Sequence, residues 1–124
     1  NTSSKSLRLC GMSYSKIDYI KSFSDFLIEN KNYFHNLKKN DDKEIIKQLC
    51  KIRGVGIWTA SIFTMSTLNY ENIFPYGDAT LLKALKKIYG DDVVVENIIS
   101  KWTPFKSAGC RILWQWVDKG MPRI

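Results

Sequence analysis

Leu49-Cys50-Lys51-Ile52-Arg53-Gly54-Val55-Gly56-Ile57-Trp58-Thr59-Ala60 places two glycines around Val55 between apolar residues at helical spacing. Upstream, Asp41 with Glu44 forms a capping-box pattern ahead of Ile45, Ile46, Leu49 and Ile52, which predicts a helix running into Arg53. Downstream, Trp58, Ile62, Phe63, Met65 and Leu68 predict a second helix. Residues 42–67 therefore read as helix, tight hairpin, helix. Glycines at a turn leave room for backbone N–H groups at a helix N-terminus to approach a phosphate. They would equally serve a plain connection that needs glycine for its geometry, and the hairpin alone leaves both readings open.

Helical signals continue on either side. Ile17, Ile20, Phe23, Phe26 and Leu27 share one face of a helix over 16–29, with Ser15 and Asp18 as its capping box, and a short helix is expected over 33–38. Residues 69–77 form a loop containing Pro75, and Asp78 stands at the cap of a helix carrying Leu81, Leu82, Leu85 and Ile88 and ended by Gly90. Asp92 as a cap, with Val95, Ile98, Ile99 and Trp102 at helical spacing, favours a further helix over a strand at 93–95. After Pro104 a last helix is expected over 105–117, with Gly120 beyond its end. There is no repeat, linker or low-complexity stretch, and no convincing β-sheet. The expected class is all-α, in one domain spanning 1–124.

A chain of 124 residues can bury one modest core and excludes several catalytic domains. Hydrophobic residues at 44% and charged residues at 25% are those of a folding chain. The formal charge of +7 favours a polyanionic partner, although the lysines are spread rather than gathered. Cys10, Cys50 and Cys110 have no ligand-like spacing, and their odd number argues against a disulfide framework and for a reducing compartment. No apolar run reaches the length of a membrane span, and the polar start lacks a signal-peptide core. A soluble protein is expected, cytoplasmic and nucleoid-associated in a bacterium or nuclear in a eukaryote.

The hairpin, then Phe74-Pro75-Tyr76-Gly77-Asp78, then Trp102-Thr103-Pro104-Phe105-Lys106-Ser107, in that order, resemble the helix-hairpin-helix DNA glycosylase superfamily, and within it the 3-methyladenine DNA glycosylase II type of alkylation repair. The stretch around Cys10-Gly11-Met12 resembles the segment that precedes the hairpin in that family. The resemblance implies the helix-hairpin-helix glycosylase fold without its N-terminal helices, so the chain is expected to be a fragment of a longer protein. It implies a monomer that acts on double-stranded DNA containing a damaged base and hydrolyses the N-glycosidic bond of an alkylated purine after flipping it out. Two alternatives stay open: a glycosylase for another base such as uracil or hypoxanthine, and a non-catalytic hairpin module that only binds DNA or a partner.

Carried over position by position, the resemblance implies that the backbone N–H groups of Gly54, Gly56 and Thr59 hold a DNA phosphate. It implies that the carbonyls of Cys50, Ile52 and Val55 surround a structural Na+ or K+. Asp78 matches the catalytic aspartate, whose carboxylate would stabilise positive charge on the sugar and orient or deprotonate the attacking water. Trp58 and Trp114 match aromatic pocket positions that stack on an extruded base. Ile62 and Ala79 occupy pocket positions that are tyrosine in the best-known relatives, which makes this pocket less aromatic. Trp58 also stands where bifunctional members carry a nucleophilic lysine, so cleavage without a covalent intermediate is expected. Lys51 and Arg53 read as solvated or phosphate-facing charges. No cofactor is required, and the missing four-cysteine pattern argues against an iron-sulfur cluster. Trp102 and Trp116 are assigned to core packing and His35 to the surface.

Overall fold

The computed structural model describes residues 2–122, among which there are helices and turns and no strand. The chain divides into two compact units, Asn1–Gly56 and Ile57–Ile124, with the division inside the hairpin motif.

The first unit holds four helices: α1 (Ser4–Leu9), α2 (Tyr14–Glu29), α3 (Tyr33–Leu37) and α4 (Asp42–Leu49). Ser3 caps α1, a helix for which the sequence pattern gave no cue. The cap of α2 is Ser13, not Ser15: Ser13 has the extended backbone a cap requires and its Oγ accepts from Lys16 N, whereas Ser15 already lies within the first turn. Asp41 caps α4 as expected, accepting from Glu44 N at 2.8 Å. That helix ends at Leu49 instead of continuing to Arg53. The N–H groups of Lys51 and Ile52 bond to the carbonyls of Gln48 and Leu49, an i to i−3 tightening that closes the last turn. Ile17, Leu37, Ile45 and Leu49 are buried. Beside them Phe26 meets Tyr33 edge to face at 4.8 Å between centroids, and Phe34 meets Tyr33 at 5.4 Å, both within the favoured range for aromatic pairs.

The second unit consists of α5 (Ile57–Ser66), α6 (Ala79–Tyr89), α7 (Val95–Ile99) with a 3-10 turn over Ser100–Trp102, and α8 (Lys106–Asp118). Asp92 does not cap α7. The helix begins two residues later than that cap would allow, with Val94 at the cap position and no side-chain bond there. Helix α6 packs on α8. Ala60, Met65, Leu81, Ala84, Leu85, Ile99 and Cys110 have no exposed surface, and each large apolar side chain among them contributes about 1.5–3 kcal/mol by leaving water. Trp102 and Trp116 are half-buried: Trp102 meets Phe74 edge to face, and Trp116 Nε1 donates to the Pro122 carbonyl. His35 is exposed, as expected. No helix among the described residues is long and apolar enough to cross a membrane.

The segment between α5 and α6 is tied to α8 rather than left free. Ser107 Oγ donates to the Tyr70 carbonyl at 2.7 Å and accepts from Ile73 N at 3.1 Å, while Ser107 N donates to the Glu71 carbonyl at 2.8 Å. Cys110, one turn further on, directs its thiol at the Ile73 carbonyl. These bonds satisfy loop backbone groups that burial would otherwise orphan. They hold the first part of the loop that leads to Asp78.

Candidate active site

Asp78 is 7% exposed and closes the loop that α8 holds. Its backbone is extended, and Oδ1 accepts from Leu81 N at 2.9 Å, which makes it the N-cap of α6. A cap needs only that one oxygen. The other, Oδ2, accepts from the Trp58 indole Nε1–H at 3.0 Å, and Trp114 Nε1–H approaches Oδ1 at 3.5 Å. Two indoles from α5 and α8 thus converge on one carboxylate at the start of α6. Their three donors, Leu81 N included, match the acceptor-only character of a carboxylate and fix its orientation.

Three residues assigned to the site by sequence are therefore joined by hydrogen bonds: Trp58, Asp78 and Trp114. The indoles were expected as stacking surfaces, and their N–H edges turn out to be donors to the aspartate. An indole held by its edge uses neither ring face in that bond. Trp58 is 46% exposed and Trp114 is half-buried. Ile62 follows Trp58 by one helical turn and is half-buried, and Ala79 is exposed directly after Asp78. Sequence reasoning gave no role to Ser107 and Cys110, which hold the loop. A serine and a cysteine three apart on an otherwise apolar face are the cue that was available.

The field of Asp78 is felt nearby. Burial pushes the Cys110 thiol up to about 12, and the negative charge of Asp78 adds to that shift. Cys110 remains a neutral thiol beside the carboxylate and presents it with no second anion.

At the hairpin, Gly54 has φ +87°, and a Cβ there would come within 2.5 Å of the Tyr19 ring. Turn geometry and the Tyr19 contact are enough to require this glycine. Gly56 has an ordinary φ and open space where a Cβ would project. Arg53 pairs with Asp18 at 2.8 Å and Lys51 donates to Gln48 Oε1, and both Lys51 and Arg53 are exposed. Val55 N donates to the Ile52 carbonyl at 3.0 Å, closing the turn. Thr59 is exposed in the first turn of α5. Among the described residues, no cluster of His, Cys, Asp or Glu could hold a metal ion.

No family model matches the chain. Individual proteins do. YfjP of Bacillus subtilis (strain 168), provisionally named a DNA-3-methyladenine glycosylase, is 30% identical over 117 residues, a match covering 90% of this chain and 41% of that protein. DNA-3-methyladenine glycosylase 1 of Schizosaccharomyces pombe (strain 972 / ATCC 24843) is 29% identical over 119 residues, covering 88% of this chain and 50% of that one. The crystal structure of a DNA-3-methyladenine glycosidase from Bacillus halodurans superposes with a TM-score of 0.80 at 28% identity, over 94% of this chain and 56% of the other. The chain thus spans about half the length of the relatives it matches, or less. In sequence and in helical fold the chain is thus similar to part of several DNA-3-methyladenine glycosylases.

Proposed function

We propose that this chain is the catalytic part of a monofunctional base-excision DNA glycosylase that removes an alkylated purine from duplex DNA, with Asp78 as its catalytic carboxylate. The observation that carries the reading is the buried Asp78 carboxylate held at both oxygens by the indole N–H groups of Trp58 and Trp114. A mere cap has no use for them. The proteins matched by sequence and structure are named for excision of 3-methyladenine, and that substrate class is proposed here on their likeness.

In this mechanism the damaged nucleotide leaves the stack and its base enters the space beside Trp58, Trp114, Ile62 and Ala79. An alkylated purine is electron-poor, and indole faces attract it. The C1′–N bond breaks, its electron pair departs with the base, and positive charge develops on the sugar. A carboxylate already fixed by three donors stabilises that charge without reorganising. Water then adds to C1′ and passes a proton to the Asp78 carboxylate, leaving an abasic site. Trp58 stands where an amine nucleophile would be needed for a covalent route, so no Schiff base forms.

The hairpin positions the duplex. The N–H groups of Gly54, Gly56 and Thr59 are assigned to one DNA phosphate, a contact that is independent of sequence. The carbonyls of Cys50, Ile52 and Val55 are assigned to a monovalent cation, a donor set of the hard oxygen type such an ion accepts. The Ile52 carbonyl, engaged by Val55 N, keeps its second lone pair for it. When bound, the cation adds positive charge at the phosphate. The formal charge of +7 supports a DNA partner.

The test is an excision assay of the full-length protein on duplexes each carrying one damaged base: 3-methyladenine, 7-methylguanine, hypoxanthine or uracil. Release of the alkylated purines is expected. Release of uracil or hypoxanthine alone would reassign the substrate, and duplex binding without any excision would remove the enzymatic reading.

A further inference from the structure

Asp78 is anchored on one side by its own helix and by the indoles, but the residue before it offers no such support. Gly77 has φ +88°, a conformation open chiefly to glycine, and nothing lies within 4 Å of where its Cβ would project. No side chain braces the approach to Asp78 at this position, where the backbone is held by the turn that Asp78 N closes onto the Pro75 carbonyl. Two residues back, Phe74 and Pro75 are buried, and the Phe74 ring meets the Tyr76 ring edge to face at 5.2 Å. The Tyr76 hydroxyl then reaches across to the first turn of α7 and donates to Glu96 Oε2 at 2.6 Å, a short charge-assisted bond. The glycine joint therefore lies between two anchors, Asp78 on one side and the Tyr76–Glu96 bond on the other. Twenty residues separate the partners of that bond, and no motif in the sequence links them.

We propose that the Tyr76–Glu96 hydrogen bond is a latch that positions Asp78 by bracing the turn at Gly77 from outside the loop; its effect on rate rests on the glycosylase reading, its effect on the loop does not. Tyr76 touches no reacting atom in this account and is a positioning residue. Burial, with the bond to Glu96 and its charge, raises the Tyr76 phenol to about 12, so the donor keeps its proton throughout the neutral range. The loop backbone is otherwise held by two tight turns, Tyr76 N to the Phe74 carbonyl and Asp78 N to the Pro75 carbonyl, both at 3.0 Å. Both turns lie inside the loop. The latch ties its exposed tip to another helix.

The experiment uses the full-length protein and compares Tyr76→Phe, Glu96→Ala, their combination, and Glu96→Gln, whose amide oxygen still accepts. Amide hydrogen exchange is followed at Asp78 and Leu81, with residues 84–89 of α6 as the internal control. Tyr76→Phe and Glu96→Ala are each expected to speed exchange at Asp78 and Leu81 by roughly three- to tenfold, the weight of one solvent-exposed hydrogen bond, without adding in the double variant. The control residues should not change, and Glu96→Gln should stay near wild type. Single-turnover excision should fall by a similar factor with lesion-duplex affinity unchanged. Unchanged local exchange, a uniform rise along α6, or full excision in loosened variants would each overturn the latch. Should the wild-type protein excise no alkylated base, the glycosylase reading falls instead, and local exchange still decides whether the latch exists.

Discussion

Replacing Asp78 with asparagine separates charge from shape, and the structure sets the size of each consequence. The asparagine oxygen can keep the Leu81 N–H bond made at 2.9 Å, so the α6 cap survives. Its NH2 group then faces the Trp58 Nε1–H, which held Oδ2 at 3.0 Å, and two donors meet. An orphaned buried donor costs about 1–3 kcal/mol, and the 46% exposure of Trp58 lets water relieve part of it, which places the loss near 1 kcal/mol. The charge is a different matter. Removing a fixed electrostatic group from a transition state costs roughly two to three orders of magnitude in rate. Excision by Asp78→Asn should therefore fall by roughly a hundredfold or more, while the melting temperature drops by only a few degrees. Duplex binding should hold or tighten, since a negative charge near phosphates is gone. The assay is single-turnover release of an alkylated base beside equilibrium binding on the same duplex, with Trp58→Phe added as a second background. That change removes the opposing donor, so the double variant should recover stability relative to Asp78→Asn and recover no excision. Near-normal excision by Asp78→Asn would refute the assignment of Asp78 to catalysis.

Gly56→Asp, at a position with open space and ordinary φ, should leave folding intact and weaken binding to damaged and undamaged duplexes alike; lesion-selective loss would count against the hairpin as a phosphate site. Gly54→Ala should lower the melting temperature before any binding effect is seen, because of the left-handed φ and the Tyr19 ring. Borohydride added during turnover should trap no protein–DNA adduct and leave the abasic product unnicked, and a trapped adduct would require an amine nucleophile. With Cys110 raised above its ordinary 9.0 to about 12, a thiol reagent at pH 8 should label the exposed Cys10 and Cys50 and spare Cys110 until the protein unfolds. Because the folded state holds that proton more tightly, its contribution to stability is fully present below pH 9 and is lost as pH rises through 12. Scanning thermal stability across that window in wild type and Cys110→Ala checks the sign.

By itself the sequence determined the helical class and the position of the hairpin, and it singled out Asp78 as the candidate for the chemistry. Those are local matters: apolar spacing on α4, α5 and α6, the caps Asp41 and Asp78, and glycines at a turn follow from a few neighbouring residues. The errors were local as well. Ser13 rather than Ser15 caps α2, and Asp92 caps nothing, because several polar residues near a helix start compete and the backbone angle chooses among them. What only tertiary structure decided are the bonds between residues distant in the chain. Trp58 could be assigned to the site by position, but that its N–H would bind Asp78 required α5 and α6 to be folded against one another. Ser107 and Cys110 hold the loop from α8, and Tyr76 finds Glu96 on α7, with no periodicity to announce either. Side-chain hydrogen bonds of this kind depend on where whole helices pack, and packing is set by the summed burial of the core rather than by any motif. The sequence supplied the carboxylate, and the fold supplied the donors that hold it.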